Sequence, residues 1–220
     1  MKKLFFVLIN FVFTGNVFAD LTIVQKVESS AIMGQPPRNG MMTMYIKGSK
    51  AKIENMSPGM SQIVDIDEGK IYMLNSARKT VMVMTSDDTK RVAGIMGKAG
   101  MASAAEKIGN SKTVNGYACE EYKITMSGVI SSETIACISG DIDTTEIEKF
   151  RTFSEELAKQ FGGLPLDVKG FPVLSDTKMK VLGKEVTSHS ELVSVLKDAI
   201  SDDVFAVPAD YKVQEMPKLR

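Results

Sequence analysis

The fold is decided by residues 41–85, which read MMTMYIKGSKAKIENMSPGMSQIVDIDEGKIYMLNSARKTVMVMT. Short stretches of alternating apolar and polar residues are separated by breaks at Gly48-Ser49, Ser57-Pro58-Gly59, 67–69 and 75–78. Alternation with a period of two is typical of strands that bury one face, and glycine, proline and asparagine mark the turns between them. The stretch therefore predicts an antiparallel meander of short strands.

Strand-like segments continue on both sides of this meander. They are Leu21–Met33, the hairpin Tyr117–Met126 with Ser131–Ser139, the hairpin Phe171–Leu182 with Glu185–Leu196, and Val204–Glu215. Two other segments have a helical period. The first is Asp88–Ile108, weakened by three glycines; the second is Thr145–Phe161, with Asp143 as its N-cap and Glu146 in the first turn.

The sequence thus predicts an α+β fold with nine or ten antiparallel strands and two helices. A sheet of that size must curl, because the twist between strands accumulates. We therefore expect a strongly curved antiparallel sheet, a half-open β-barrel, with the two helices covering its concave side.

The N-terminal residues predict secretion. Lys2 and Lys3 precede a ten-residue apolar run, Leu4–Phe13, and Val17-Phe18-Ala19 resembles a signal-peptidase site. The run is shorter than the about 20 apolar residues of a transmembrane helix. We expect residues 1–19 to be a signal peptide cleaved after Ala19, and residues 20–220 to form one half-barrel domain in the periplasm or outside the cell, with no integral membrane segment.

The charge balance argues against nucleic acid as a partner. The chain has 27 basic and 27 acidic residues, and neither sign dominates a long stretch. A nucleic-acid-binding protein would show a basic face.

The two cysteines, Cys119 and Cys137, lie in the predicted hairpin around Gly128. A hairpin centred on Gly128 would place them opposite each other, and Lys123 opposite Glu133. Pairing is the default for cysteines in an oxidising compartment, so we expect a structural disulfide.

The sequence offers little for catalysis. His189 is the single histidine, and alternation places it with Glu185, Thr187 and Glu191 on a solvated strand face. A Ser-His-Asp site needs a base held between a nucleophile and an acid, and no Gly-x-Ser-x-Gly motif is present. We expect no enzyme activity, no cofactor and no metal site.

Methionine is abundant, with 15 residues in the chain. Met42-x-Met44 and Met82-x-Met84 each place two thioethers on one face of a strand. Three interpretations remain open: filling of an irregular core, lining of an adaptable apolar cavity, and copper(I) ligation by the soft sulfur atoms.

Three segments resemble a known family. They are Asn115–Lys123 (NGYACEEYK), Val186–Leu192 (VTSHSEL) and Val204–Lys212 (VFAVPADYK). They resemble the bacterial secreted domain-of-unknown-function family 4412, which looks like the LolA/LolB-type periplasmic carriers. Asp210 departs from the pattern, since glycine is common at that position. The resemblance implies a half-barrel closed by helices around an apolar cavity and implies a carrier role, but no catalytic residue.

These observations predict a non-catalytic carrier for an acyl chain, a lipid or a lipoprotein-like ligand, with envelope proteins as further partners. The alternatives are a methionine-based copper(I)-binding protein and an envelope interaction protein without a small ligand. The expected cavity lining is Met42, Met44, Met82, Met84, Ile95, Met96, Phe150 and Phe153.

Overall fold

The computed structural model describes residues 20–31, 37–57, 59–96, 102–109, 111–128, 131–160, 168–181 and 183–214. The predicted signal peptide, residues 1–19, lies outside them. The described residues form thirteen strands and two α-helices. The chain is therefore mostly β, with more strands than the sequence predicts.

The elements follow the chain in a simple order. The strands are β1 (Leu21–Ser29), β2 (Arg38–Lys47), β3 (Lys50–Ser57), β4 (Met60–Asp65), β5 (Lys70–Asn75), β6 (Thr80–Thr85), β7 (Ala102–Lys107), β8 (Lys112–Val114), β9 (Tyr117–Ser127), β10 (Ser131–Ser139), β11 (Phe171–Val181), β12 (Lys184–Leu196) and β13 (Lys212–Gln214). Helix α1 (Ser86–Met96) follows β6, and helix α2 (Thr145–Gln160) follows β10. A 3-10 helix spans Asp202–Phe205.

The strands form one large sheet in the order β13-β6-β5-β4-β3-β2-β1-β12-β11-β10-β9-β7, and β8 pairs with β9 beside β7. The N-terminal strand β1 lies near the middle, where it joins the meander β2–β6 to the later hairpins. The sheet is not closed, because β13 and β7 lie at opposite ends of this order. Neighbouring strands are antiparallel, except that β13 runs parallel to β6.

The first predicted helix is wrong in its second half. Helix α1 ends at Met96, and Ala102–Lys107 is a strand paired with β9 instead. Its sequence, ASAAEK, contains no β-branched or aromatic residue, so local propensity does not indicate a strand. Pairing with the free edge of β9 overrides that propensity.

The predicted strand Val204–Glu215 is also largely wrong. Its first two residues belong to the 3-10 helix, and of its described residues only Lys212–Gln214 forms a strand. Pro208 has no N–H to donate to a sheet. The N–H of Tyr211 instead donates to the Pro208 carbonyl, which makes a turn before β13.

Helix α2 begins at Thr145, as the sequence predicts, but its N-cap is one residue later than predicted. The Thr144 carbonyl accepts the first helical hydrogen bonds, so Thr144, and not Asp143, is the N-cap. Asp143 lies just outside, where its carboxylate accepts from Lys197 and from Thr145. These hydrogen bonds, the one from Lys197 first, hold the pKa of Asp143 below its usual range.

Apolar side chains cover both faces of the sheet. We call the face that carries Leu21, Ile23 and Ile46 the helix face, because Ile147 and Phe150 of α2 pack against the core cluster that contains these residues. The opposite face, here the tail face, has a smaller core in which C-terminal side chains cover β4–β6. That core contains Ile63, Tyr72, Leu74, Val81, Val83, Val207 and Tyr211.

The predicted disulfide is confirmed. Cys119 on β9 and Cys137 on β10 are bonded, and their Cα atoms are 5.4 Å apart. The predicted register is wrong by two residues, because Cys137 lies opposite Glu121 and Lys123 lies opposite Ile135. A slip of two keeps every side chain on its face. The Lys123–Glu133 ion pair therefore still forms, at 2.7 Å, as a diagonal contact.

Gly170, just before β11, occupies a position that only glycine fits. Its φ is +109°, and a Cβ built there would lie 2.4 Å from the Ser139 carbonyl oxygen. We expect Gly170→Ala to lower the free energy of unfolding by about 1–3 kcal/mol or more, from backbone strain and the added clash. Thermal or urea unfolding measures this change.

Gly140 supplies the matched control for that substitution. A Cβ at Gly140 has open space around it, and its φ is not in the left-handed region. Gly140→Ala should therefore leave stability nearly unchanged or raise it slightly, because it restricts the unfolded chain. Equal losses for the two variants would contradict the assigned backbone of the turn before β11.

Candidate functional site

The strand register brings the predicted methionines to one face of the sheet. Met42 and Met44 of β2 lie opposite Gln25 and Ile23 of β1, so they belong to the helix face. Following the pairs from β2 through β3, β4 and β5 to β6 places Met82 and Met84 on the same face. Four of the predicted lining residues thus share the side of the sheet on which α2 packs.

The register places two further methionines on this face, Met60 at the start of β4 and Met73 of β5. Met73 of β5 lies directly opposite Met82. We define Met42, Met44, Met73, Met82 and Met84 as the methionine patch. Its intervening helix-face positions on β3, β4 and β5 include Ile53, Val64 and Ile71.

The methionine patch is not fully buried, although Met44 packs against the buried core cluster. All five of its methionines are partly exposed, whereas Leu21, Ile23 and Ile46 on the same face are buried. The helix face therefore changes, from a closed core around β1 and the end of β2 to a partly open apolar surface toward β6. Flexible, polarisable methionine side chains suit a surface that adapts to what it contacts.

Helix α2 extends over this open part. Phe150 packs against the buried core, and Phe153, one turn later, lines a small cavity of about 210 Å³. The other walls of that cavity include Ile71 on the helix face of β5 and Thr89 on α1. The two predicted phenylalanines thus lie on the same side of the sheet as the methionine patch.

Helix α1 follows β6 directly and lies beside α2 over this surface. Its first turn is anchored by Asp88, whose carboxylate accepts from the N–H and the hydroxyl of Thr85. Ile95 and Met96, the remaining predicted lining residues, fall in its last turn, but their side chains lie outside the described part of the structure.

The two Met-x-Met pairs lie on strands that are well separated in this sheet. Strands β3, β4 and β5 lie between β2 and β6. Neighbouring strands are about 4.8 Å apart, so the pairs are separated by several strand spacings. Copper ligation that joins Met42 to Met82 is therefore disfavoured by the topology.

Sequence reasoning missed Met73, Ile71 and Val64 as members of this surface. A local signal existed, because Ile71-x-Met73 alternates within a correctly predicted strand. The cross-strand neighbours, however, follow only from the register of β4, β5 and β6.

A second, polar cavity of about 600 Å³ lies at the far ends of β1, β10, β11 and β12. It contains His189, whose Nδ1 lies 2.7 Å from Asp176 Oδ1 on the neighbouring strand. Glu28 on β1 lies opposite His189 on its other side. His189 therefore lies on a polar, partly exposed strand face, as the alternation predicts.

The carboxylates of this cavity are largely neutralised within the protein. Glu28 pairs with Lys26 at 2.8 Å, and Glu133 pairs with Lys123 at 2.7 Å. The hydrogen bonds from these lysines lower the pKa of both carboxyl groups. Arg38, Lys178 and Asp176 also line this cavity. Among the described residues no hydroxyl is hydrogen-bonded to His189. Within the described part of the chain, this cavity therefore has no nucleophile placed against its base.

Two further findings concern classes of site. Among the described residues, no group of three or more histidine, cysteine, aspartate or glutamate side chains is placed to hold a metal ion. In the same part of the chain, no helix combines the length and apolarity needed to cross a membrane.

Comparison with protein families gives one decisive match. A family model described as "Domain of unknown function (DUF4412)" matches residues 31–211. The chain belongs to the DUF4412 family. The resemblance seen in the sequence is therefore confirmed. The matched residues include every described strand from β2 to β12. No curated protein matches this DUF4412 chain.

Solved structures similar to this DUF4412 chain have low sequence identity. Two structures of PNGF-II are 10% identical and cover 90% and 91% of the chain, with TM-scores of 0.45 and 0.39. The chain spans only about a third of their length, 32% and 31%. A DUF1329 family protein from Desulfovibrio piger is 11% identical, with coverage of 87% of this chain and 91% of that one, and a TM-score of 0.36.

Proposed function

We propose that this DUF4412 protein is a periplasmic carrier that binds an apolar ligand, an acyl chain or a lipid, between the methionine patch and helices α1 and α2. The observation that carries the proposal is the partial exposure of all five patch methionines on the helix-covered face. A domain with a filled core would bury these side chains. An apolar ligand would cover them and gain about 25 cal/mol for each Å² of apolar surface removed from water.

The proposal includes curvature of the sheet around the ligand. Thirteen strands, each twisted relative to its neighbour, favour coiling over a flat sheet. Packing of α2 on one face only, near the centre of the sheet, supports that face as the concave one. In this proposal the sheet is a half-open barrel, and the two helices close it.

The proposed location follows from the first nineteen residues and from the disulfide. Residues 1–19 have the basic start, apolar run and small-residue ending of a signal peptide. The Cys119–Cys137 bond supports an oxidising compartment, because disulfides are rare in the cytosol. A carrier in an aqueous periplasm would need an enclosed apolar surface to shield an apolar ligand from water.

The proposed role is binding without catalysis. Support comes from the polar cavity. There His189 is hydrogen-bonded to Asp176, and no described hydroxyl is hydrogen-bonded to His189. The methionines of the patch and their neighbours Ile53, Val64 and Ile71 offer thioethers and aliphatic groups, which neither donate nor accept protons at neutral pH.

Two consecutive methionines on opposite faces of β2 allow a test of which face binds the ligand. Met42 is on the helix face, and Met41 is on the opposite face of the same strand, where it is 43% exposed. We expect Met42→Asp to weaken binding of a fluorescent fatty acid to the purified mature chain by about tenfold or more, because the ligand would have to desolvate a carboxylate. Fluorescence titration measures the affinity.

Met41→Asp is the matched control and should bind the fatty acid as the wild type does. Circular dichroism and thermal unfolding show whether both variants are folded. An affinity that is unchanged in Met42→Asp, or lowered equally in both variants, would overturn the assignment of the ligand to the helix face.

A further inference from the structure

We infer that Met73, Met82 and Met84 form a copper(I)-binding site at the β5–β6 end of the methionine patch. Met73 and Met82 are a directly opposed cross-strand pair, and Met84 is the next helix-face residue along β6. Opposed side chains have Cβ atoms about 4.5–5.5 Å apart, and diagonal neighbours about 7–8 Å. Methionine has three rotatable side-chain bonds, so three sulfur atoms at these positions can converge on one ion.

The chemistry of the surroundings favours a soft cation over a hard one. The other helix-face residues of β4, β5 and β6 are Met60, Gln62, Val64, Ile71, Asn75 and Thr80. None of them is a carboxylate, the ligand type that calcium and magnesium require. Uncharged thioethers are soft ligands that select copper(I). The site therefore discriminates by ligand type, without any charge of its own.

The three methionines are accessible to an incoming ion. Each is partly exposed, and Met84 lies opposite Ile71, which lines the small cavity under α1 and α2. An ion could therefore reach the thioethers from that side without unfolding the sheet.

At the other end of the patch, none of the described cross-strand partners supplies a third thioether. The partners of Met44 are Ile23 and Ile53, and the partner of Met42 on β1 is Gln25. That pair supplies only two sulfur atoms. The structure thus places the copper site at β5–β6 and gives Met42 no part in it, which differs from ligation by both Met-x-Met pairs.

The test is a competition for copper(I) between the mature chain and bicinchoninate, under nitrogen and with ascorbate as the reductant so that the disulfide stays intact. The wild type should remove one copper(I) ion per chain from the coloured complex. We expect Met73→Leu and Met82→Leu each to weaken copper(I) binding at least tenfold. Leucine keeps the apolar volume but has no sulfur, so both variants should remain folded.

Met42→Leu is the control and should bind copper(I) as tightly as the wild type. If the wild type removes no copper, or if Met42→Leu is impaired as much as Met73→Leu, the inference is wrong. The result is separable from the carrier proposal, because leucine at these positions preserves fatty-acid binding. Loss of copper(I) with retained fatty-acid binding isolates the thioether site.

Discussion

Ile46→Ala is expected to lower the free energy of unfolding by about 2–5 kcal/mol, the range seen when a large buried aliphatic side chain is truncated. Ile46 lies on the helix face at the end of β2 and has no exposed surface. It belongs to the cluster in which β1 and β2 meet helix α2. Its truncation therefore leaves a cavity at the joint between the meander and the rest of the sheet. Urea unfolding followed by circular dichroism measures the loss.

Ile108→Ala is the control for that prediction, because Ile108 is 46% exposed. The same chemical change there should alter stability by no more than about 0.5 kcal/mol. A small effect of Ile46→Ala, comparable to the control, would mean that the helix-face core is not packed as described.

Removal of the disulfide is the second change with a large expected effect. The bond closes a loop between residues separated by 18 positions, and the loop-entropy relation gives about 3 kcal/mol for a loop of this length. Both cysteines are buried, and each has only 2% of its surface exposed. The double substitution Cys119→Ala with Cys137→Ala therefore also removes packed sulfur atoms. We expect the double variant to lose at least about 3 kcal/mol of stability in urea unfolding.

Chemical reduction provides an independent comparison for the double variant. Wild-type chain unfolded in urea with dithiothreitol lacks the cross-link but keeps the sulfur atoms, so its stability should lie between those of the oxidised chain and the double variant. If the oxidised chain and the double variant unfold at the same urea concentration, the bond does not stabilise the β9–β10 hairpin.

Several parts of the fold could be predicted because their signals are local. The β5 strand, Lys70–Asn75, was predicted with the observed bounds, since alternating residues are enclosed by two turns. The second helix and the disulfide pair were predicted for the same reason. Period-two alternation also explains why the methionines of β2 and β6 could be assigned to common faces of their strands.

Other parts depend on long-range pairing that leaves little local trace. Ala102–Lys107 is a strand because the edge of β9 is available to it, not because of its own composition. The register of the Cys119–Cys137 hairpin was wrong by two residues, since a two-residue slip preserves the alternation that the sequence shows. Met73 became part of the site only when the pairing of β5 with β6 was known.

The most direct test of the carrier proposal is the mass of the protein as the cell makes it. The full chain, with residues 1–19, is expressed in a bacterial host, purified from the periplasm and measured by native and denaturing mass spectrometry. We expect cleavage after Ala19 and a native adduct of lipid mass that denaturation releases. Met41→Asp should keep that adduct, and Met42→Asp should lose it. If the wild-type chain purified from the periplasm has its bare mass under native conditions, with no adduct, the carrier function is contradicted.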